Sequence, residues 1–151
     1  MNKVFFDLEW NTGFLDGNSF DEIIEIGAVK TDEEYRQIDG FRRLIRPVIY
    51  RKMNPYIQKI LAITMKDLQG EEPLASVAKA FFDWCGDCDT LIAWSGNDFG
   101  VLEKNLAHIG MKIPEQLGRY DVQMAYAYRT ENSIRNYALK AAVEAMELPE
   151  P

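Results

Sequence analysis

The stretch VFFDLEW, residues 4–10, decides the reading of this chain. Val4, Phe6 and Leu8 fall on one side of a period-two pattern, with Phe5, Asp7 and Glu9 on the other. That alternation is strand spacing, because successive side chains of an extended chain point to opposite faces. A strand rich in Val and Phe belongs in a core, yet its second half carries two carboxylates. Burying an ionised carboxylate is costly unless something pairs with it. Lys3 is the only cation in the first 29 residues, so the nearby sequence offers no evident partner. Asp7 and Glu9 share a face, about 7 Å apart along the strand. A hard divalent cation beside them would supply the missing charge.

Working outward, LDGNSF (15–20) supplies turn residues and IIEIGAVKT (23–31) reads as a second strand. A polar DEEY turn leads to RQIDGFRRLIRP (36–47), a third strand of the same antiparallel meander. From Pro55, a favoured first helical residue, the apolar period becomes helical through YIQKILAI. Residues 71–85 form an amphipathic helix with Leu74, Val77, Ala78, Phe81 and Cys85 on one stripe, capped by Gly86. DTLIAW (89–94) has strand character, and Asp98 to Ile109 is helical. RYDV (119–122) is a short strand or a turn into helix 122–129. Ser133 is an N-cap for a last helix that runs to about Leu148. Three strands followed by helices alternating with further strands indicate an α/β or α+β domain with a mixed central sheet.

At 151 residues the chain fits one domain, residues 1–151, with a real core. A hydrophobic fraction of 47% places it among globular proteins. No stretch approaches the length of a membrane span and no signal segment opens the chain, so the expected location is cytoplasmic. Two cysteines agree with a reducing compartment. A net charge of -7 disfavours holding nucleic acid through a large basic surface, but not meeting a chain end through metal ions.

WCGDC (84–88) has redox-dithiol spacing. A reactive dithiol opens a helix, whereas this one closes the helix ending at Gly86, among Asp83, Asp87 and Asp89. Both features raise a thiol pKa, so the pair reads as one core and one loop cysteine that alkylate slowly. With His108 the only histidine, a zinc site is no better supported. LIAWSGNDFGVLEKNL (91–106) is a buried strand, a turn and Asp98 opening a helix. Asp98 is either an N-cap or a third carboxylate delivered beside Asp7 and Glu9 by a neighbouring strand. Glu25 is either a fourth acid near them or, as its strand pattern favours, a solvent-facing or hydrogen-bonded structural residue. Arg42, Arg43, Arg46, Arg51 and Lys52 form the one basic cluster, a guide for a phosphate backbone or a solvated face.

Together these segments resemble the DEDD 3′–5′ exonucleases, the ribonuclease H-like group that includes polymerase proofreading subunits. VFFDLEWNT looks like the first motif, FDEIIEIGAVKTD like the second strand, and IRPVIYRKMNPYIQKILAITMKDLQGEEPLASVAKAFFDW like the Arg-Pro strand and the helices after it. AWSGND is similar to the second motif in the Trp-containing form of the small RNA 3′-exonucleases, with Asp98 as its acid. RYDVQMAYAY and YALKAAVEAMEL resemble the later Asp-containing segment and the helix before the last motif.

The resemblance implies a five-stranded ribonuclease H-like sheet flanked by helices. It implies two Mg²⁺ or Mn²⁺ ions held by Asp7, Glu9 and Asp98. Trp10, Asn11 and Thr12 would lie against the terminal nucleotide of a single-stranded RNA or DNA 3′ end, with the Trp-containing motif favouring RNA. The family's last motif brings a fourth Asp, with a His five or a Tyr four residues earlier, after the helix that ends here at Leu148. This sequence stops at Pro151, and neither His108 nor the Tyr35/Asp39 pair substitutes. The expectation is therefore a domain without the C-terminal segment that carries one metal ligand and the general base. Two functions compete: exonuclease, or a catalytically incomplete binding and assembly module. A missing last helix would also leave an apolar strip beside the first strand, which favours a homodimer.

Overall fold

The first hairpin is longer than the apolar pattern predicts. In the computed structural model, which describes residues 1–131 and 137–149, strands β1 (Lys3–Leu15) and β2 (Asn18–Thr31) pair antiparallel throughout. They are joined by Asp16 and Gly17, whose φ angles of 51° and 81° define the type I′ turn that suits strand twist. Between Asn11 and Glu22 the strands carry mostly polar residues, so hydrophobic alternation gives no signal there.

Strand β3 (Gln37–Leu44) completes the meander, and helices α1 (Pro55–Leu61), α2 (Met65–Leu68) and α3 (Leu74–Cys85) follow. Strand β4 (Thr90–Ala93), helix α4 (Gly96–His108), strand β5 (Gly118–Asp121), helix α5 (Val122–Glu131) and helix α6 (Leu139–Ala145) complete the chain. The sheet order is β3-β2-β1-β4-β5, with β4 parallel to β1 and β5 parallel to β4. This is the expected mixed five-stranded sheet. RYDV supplies both the end of β5 and the first residue of α5.

The expected Ser133 cap lies outside the described residues. The last helix stops at Ala145, short of Leu148, because Glu147 turns left-handed (φ 54°). The Glu147 and Leu148 amides then donate back to the carbonyls of Glu144 and Val143, a Schellman closure that satisfies the helix end.

Helices α3 and α4 seal one face of the sheet. Phe81, Leu102 and Leu106, each 0% exposed, pack with Val4, Phe6, Leu8, Ile26 and Leu91. Each such side chain contributes about 1.5–3 kcal/mol when fully buried.

One irregularity decides what faces this core. From the turn to the Trp10–Ile23 pair the strands follow one register; at Glu9 the partner is Glu25, and Ile24 is left over as a bulge. The slip turns Ile26 and Ala28 into the core and sets Gly27 opposite Asp7. Ile24 instead enters a second cluster with Met53 and Leu68, on the opposite face.

Just before the bulge, Asn105 of α4 holds the backbone of β2. Its Oδ1 accepts the Ile23 amide at 3.1 Å, and its Nδ2 donates to the Asp21 carbonyl at 2.7 Å and the Val101 carbonyl at 2.9 Å. Nearby, the buried Glu22 carboxylate accepts the amides of Val48, Ile49 and Tyr50 at 2.6, 2.8 and 2.9 Å. It thereby clips the loop after β3 to β2. Asn105→Ala orphans the Ile23 amide and the Asp21 carbonyl. The expected loss is roughly 3 kcal/mol of unfolding free energy in urea titration. A loss within the scatter of ordinary surface substitutions would show that water serves that amide and carbonyl equally well.

Candidate active site

On the face opposite α3 and α4, the sheet register lays out two short rows. Asp7 lies opposite Gly27, which lies opposite Arg42; one step along, Glu9 lies opposite Glu25, which lies opposite Leu44. Strand β4, parallel to β1, delivers the chain through Trp94 and Ser95 into α4. Asp98, in the first turn of that helix, is 7% exposed. Ser95 Oγ lies 3.3 Å from Asp98 Oδ2 and also accepts the Asn97 amide at 3.2 Å. Asp98 lies near enough to Asp7 to feel its charge.

Gly96 lets Asp121 come close to the start of α4. A Cβ there would stand 2.9 Å from Oδ2 of Asp121, whose other oxygen caps α5 through the Met124 amide at 2.8 Å.

The three acids press on one another. Desolvation, foremost, raises the pKa of Asp7, with a further push from Glu25. Glu9 is raised by desolvation and then by Asp7, Glu25 and Asp98. Asp98 is raised by desolvation and then by Asp7. Among the described residues no Lys or Arg pairs with any of the three. As donors, three carboxylates suit a hard divalent cation. They do not enclose one, since among the described residues no three His, Cys, Asp or Glu side chains gather tightly enough to hold an ion.

The structure thus brings Asp7, Glu9 and Asp98 to one place and gives Trp10, Asn11 and Thr12 other surroundings. Trp10 packs against the main core. Asn11, 1% exposed, donates to the Lys52 carbonyl at 3.0 Å and accepts the Asn54 amide at 2.8 Å. Thr12 donates to Asp21 at 2.8 Å.

Glu25 emerges as part of the site. It is 8% exposed, opposite Glu9, and ion-paired with Arg42. Its strand pattern placed it among the structural residues, and only the bulge reveals which acid it faces. His108 is remote, at the far end of α4 with its ring 5.6 Å from that of Phe20. Tyr35 sits in the turn after β2 at φ 61°, while Asp39 lies within β3 and accepts from the Trp84 indole.

A cleft of about 620 Å³ is lined by Asp7, Phe5, Gly27 and Val29 of the sheet and by Tyr126 and Val143 of the last two helices. Cys85 and Cys88 are buried free thiols beneath the other face, and burial pushes the Cys85 thiol up to about 12.

Residues 4–150 match the RNase T family model, described as exonuclease, and the chain belongs to this DEDD exonuclease family. Over 112 residues, 73% of its length, it is 34% identical to the PolC-type DNA polymerase III of Clostridium perfringens (strain 13 / Type A), of which it spans 7%. Three solved structures share the fold at low identity. A full-length 3′-exonuclease superposes with a TM-score of 0.83 at 14% identity, over 97% of this chain and 52% of that one. The 3′-exonuclease solved in 3′-end specific recognition of a histone mRNA stem-loop gives 0.81 at 17%, over 97% and 70%. E. coli exonuclease I in complex with a dT13 oligonucleotide gives 0.72 at 17%, over 99% and 36%. The fold is accordingly ribonuclease H-like.

Two predictions follow from the electrostatics. The Asp98 carboxyl is harder to ionise in the fold than in the open chain. The native state therefore keeps a proton that the unfolded state releases, and stability falls as pH rises from the unfolded value near 3.8 toward neutrality. Asp98→Asn, measured in EDTA, should melt above the parent at pH 7, with the gap closing as pH drops below that value. A variant no more stable than the parent at pH 7 would contradict the mutual repulsion. Iodoacetamide should label both cysteines far more slowly in the native protein than in the urea-unfolded chain at neutral pH. Equal rates would mean an accessible thiolate.

Proposed function

We propose that this chain is the core of a metal-dependent 3′–5′ exonuclease that removes nucleotides from single-stranded RNA or DNA ends. The observation that carries the reading is the convergence, within a family of exonucleases, of three mutually destabilised carboxylates, one of which, Asp7, lines a cleft. Asp7, Glu9 and Asp98 would hold the divalent ions, Mg²⁺ or Mn²⁺. Such ions supply charge to the scissile phosphate and acidity to the attacking water.

The chain's own residues do the positioning. Ser95 holds Asp98 at the start of α4, and β1 carries Asp7. Their raised pKa values mean that each gains on meeting a cation, which relieves both burial and repulsion. The first turn of α4 adds the positive end of a helix dipole on the same side. Trp10 to Thr12 meets the terminal nucleotide chiefly through its backbone, since the Asn11 and Thr12 side chains are engaged inside the fold.

A 5′-labelled single strand, as RNA and as DNA, incubated with Mn²⁺, Mg²⁺ or EDTA tests the reading. The expected product is a metal-dependent ladder shortening from the 3′ end, reduced at least about a hundredfold in Asp7→Ala. Intact substrate in every lane, from a preparation that still binds Mn²⁺, would favour the competing reading of a binding module on an exonuclease fold.

A further inference from the structure

Arg42 is the one cation, among the described residues, ion-paired to an acid of this site. It lies on β3, two strands from Asp7 in the same row, with Gly27 between them. Two strand spacings put the Cα atoms of Asp7 and Arg42 about 10 Å apart, on one face of the sheet. Gly27 contributes no side chain, and a Cβ built there would meet nothing within 4 Å. A bare lane thus runs along the row from the carboxylate to the arginine, and its Asp7 and Gly27 end lines the cleft.

The arginine is held in a particular way. Its Nε donates to Glu25 Oε1. The Glu25 side chain is 10% exposed, while that of Arg42 is 78% exposed. Glu25 is thus the fixed partner and Arg42 the one that reaches solvent. The two Nη groups form no hydrogen bond among the described residues. A guanidinium carries five N–H donors in a planar fork suited to phosphate oxygens. Holding Nε leaves that fork oriented and available. Glu25 serves two ends at once: it raises the pKa of Asp7 and Glu9 from across the sheet, and it anchors the cation that offsets it.

We infer that Arg42, anchored by Glu25, binds a backbone phosphate of the nucleic-acid strand lying across Gly27, and so sets the path of the strand into the Asp7 site. The inference rests on the nucleic-acid reading above and extends it to a residue outside the metal ligands. Arg42 makes a charge-assisted contact to phosphate, which carries no base information. It therefore contributes affinity and register, equally for RNA and DNA, and leaves the chemical step to the carboxylates.

The test is fluorescence anisotropy with a short 5′-fluorescein-labelled single strand, in Ca²⁺ over a range of salt concentrations, using the whole chain. Arg42→Ala should weaken binding about tenfold and lower the slope of log Kd against log salt by about 0.7. Arg42→Lys keeps the charge and should restore the slope while recovering only part of the affinity. Gly27→Leu fills the lane and should weaken binding with the salt slope intact. Gly27→Ala, which meets no neighbour, reports whether the position folds normally, and melting temperatures check all four variants. If the parent binds and Arg42→Ala matches it in Kd and in slope, the inference fails alone. If the parent binds neither RNA nor DNA, the nucleic-acid reading fails and takes the inference with it.

Discussion

The site depends on a single extra residue in β2. The hairpin leaves its Asp16-Gly17 turn in a register that, continued unbroken, would pair Asp7 with Ile26 and bury Gly27 opposite Phe6. Because side chains alternate, a one-residue slip exchanges the two faces of a strand. The bulge at Ile24 makes that exchange once, between Trp10 and Glu9. Beyond it, Ile26 and Ala28 belong to the core, and Glu25 and Gly27 stand beside Asp7 and Glu9. Before it, Asn11 and Glu22 face the loop that follows β3 and hold it by side-chain hydrogen bonds.

A bulge is tolerated only if its unpaired backbone groups find partners. The carbonyl of the bulged Ile24 accepts the Ile45 amide, and Asn105 holds the strand just before the bulge from α4, the helix that carries Asp98 two turns earlier. One side chain therefore ties the helix that delivers the third acid to the strand irregularity that arranges the other two. Packing links them further, since Phe99 and Leu102 press α4 on Phe6 and its neighbours. The electrostatic strain of three adjacent carboxylates is carried by this combination of core packing and saturated polar contacts.

Much of this was legible in the residues. The alternation of Val4, Phe6 and Leu8 against Phe5, Asp7 and Glu9 is local, and local patterns survive folding. The stripe from Leu74 to Cys85 and its Gly86 cap likewise appear as read, as does the position of the cysteine pair at a helix end. Asp98 kept two meanings in the sequence, and the structure gives it an acid neighbour as well as a place in the first helical turn. What escaped was non-local. A bulge has no signature in IIEIGAVKT, so the partner of Glu25 was not visible, nor was the row joining Asp7, Gly27 and Arg42. The roles of Asn11, Glu22 and Asn105 escaped for the same reason, because each bonds to backbone far away in the chain.

The central claim is that Asp7, Glu9 and Asp98 act as one divalent-ion site whose geometry is set by the bulge and by Asn105. Mn²⁺ titration followed by the electron paramagnetic resonance of the free ion tests it without reference to catalysis. The account predicts saturable binding by the parent, strong weakening in Asp7→Asn, and an intermediate loss in Asn105→Ala, whose side chain is not a ligand. Binding that is equal in the parent and in Asp7→Asn would place the ion elsewhere and contradict the account.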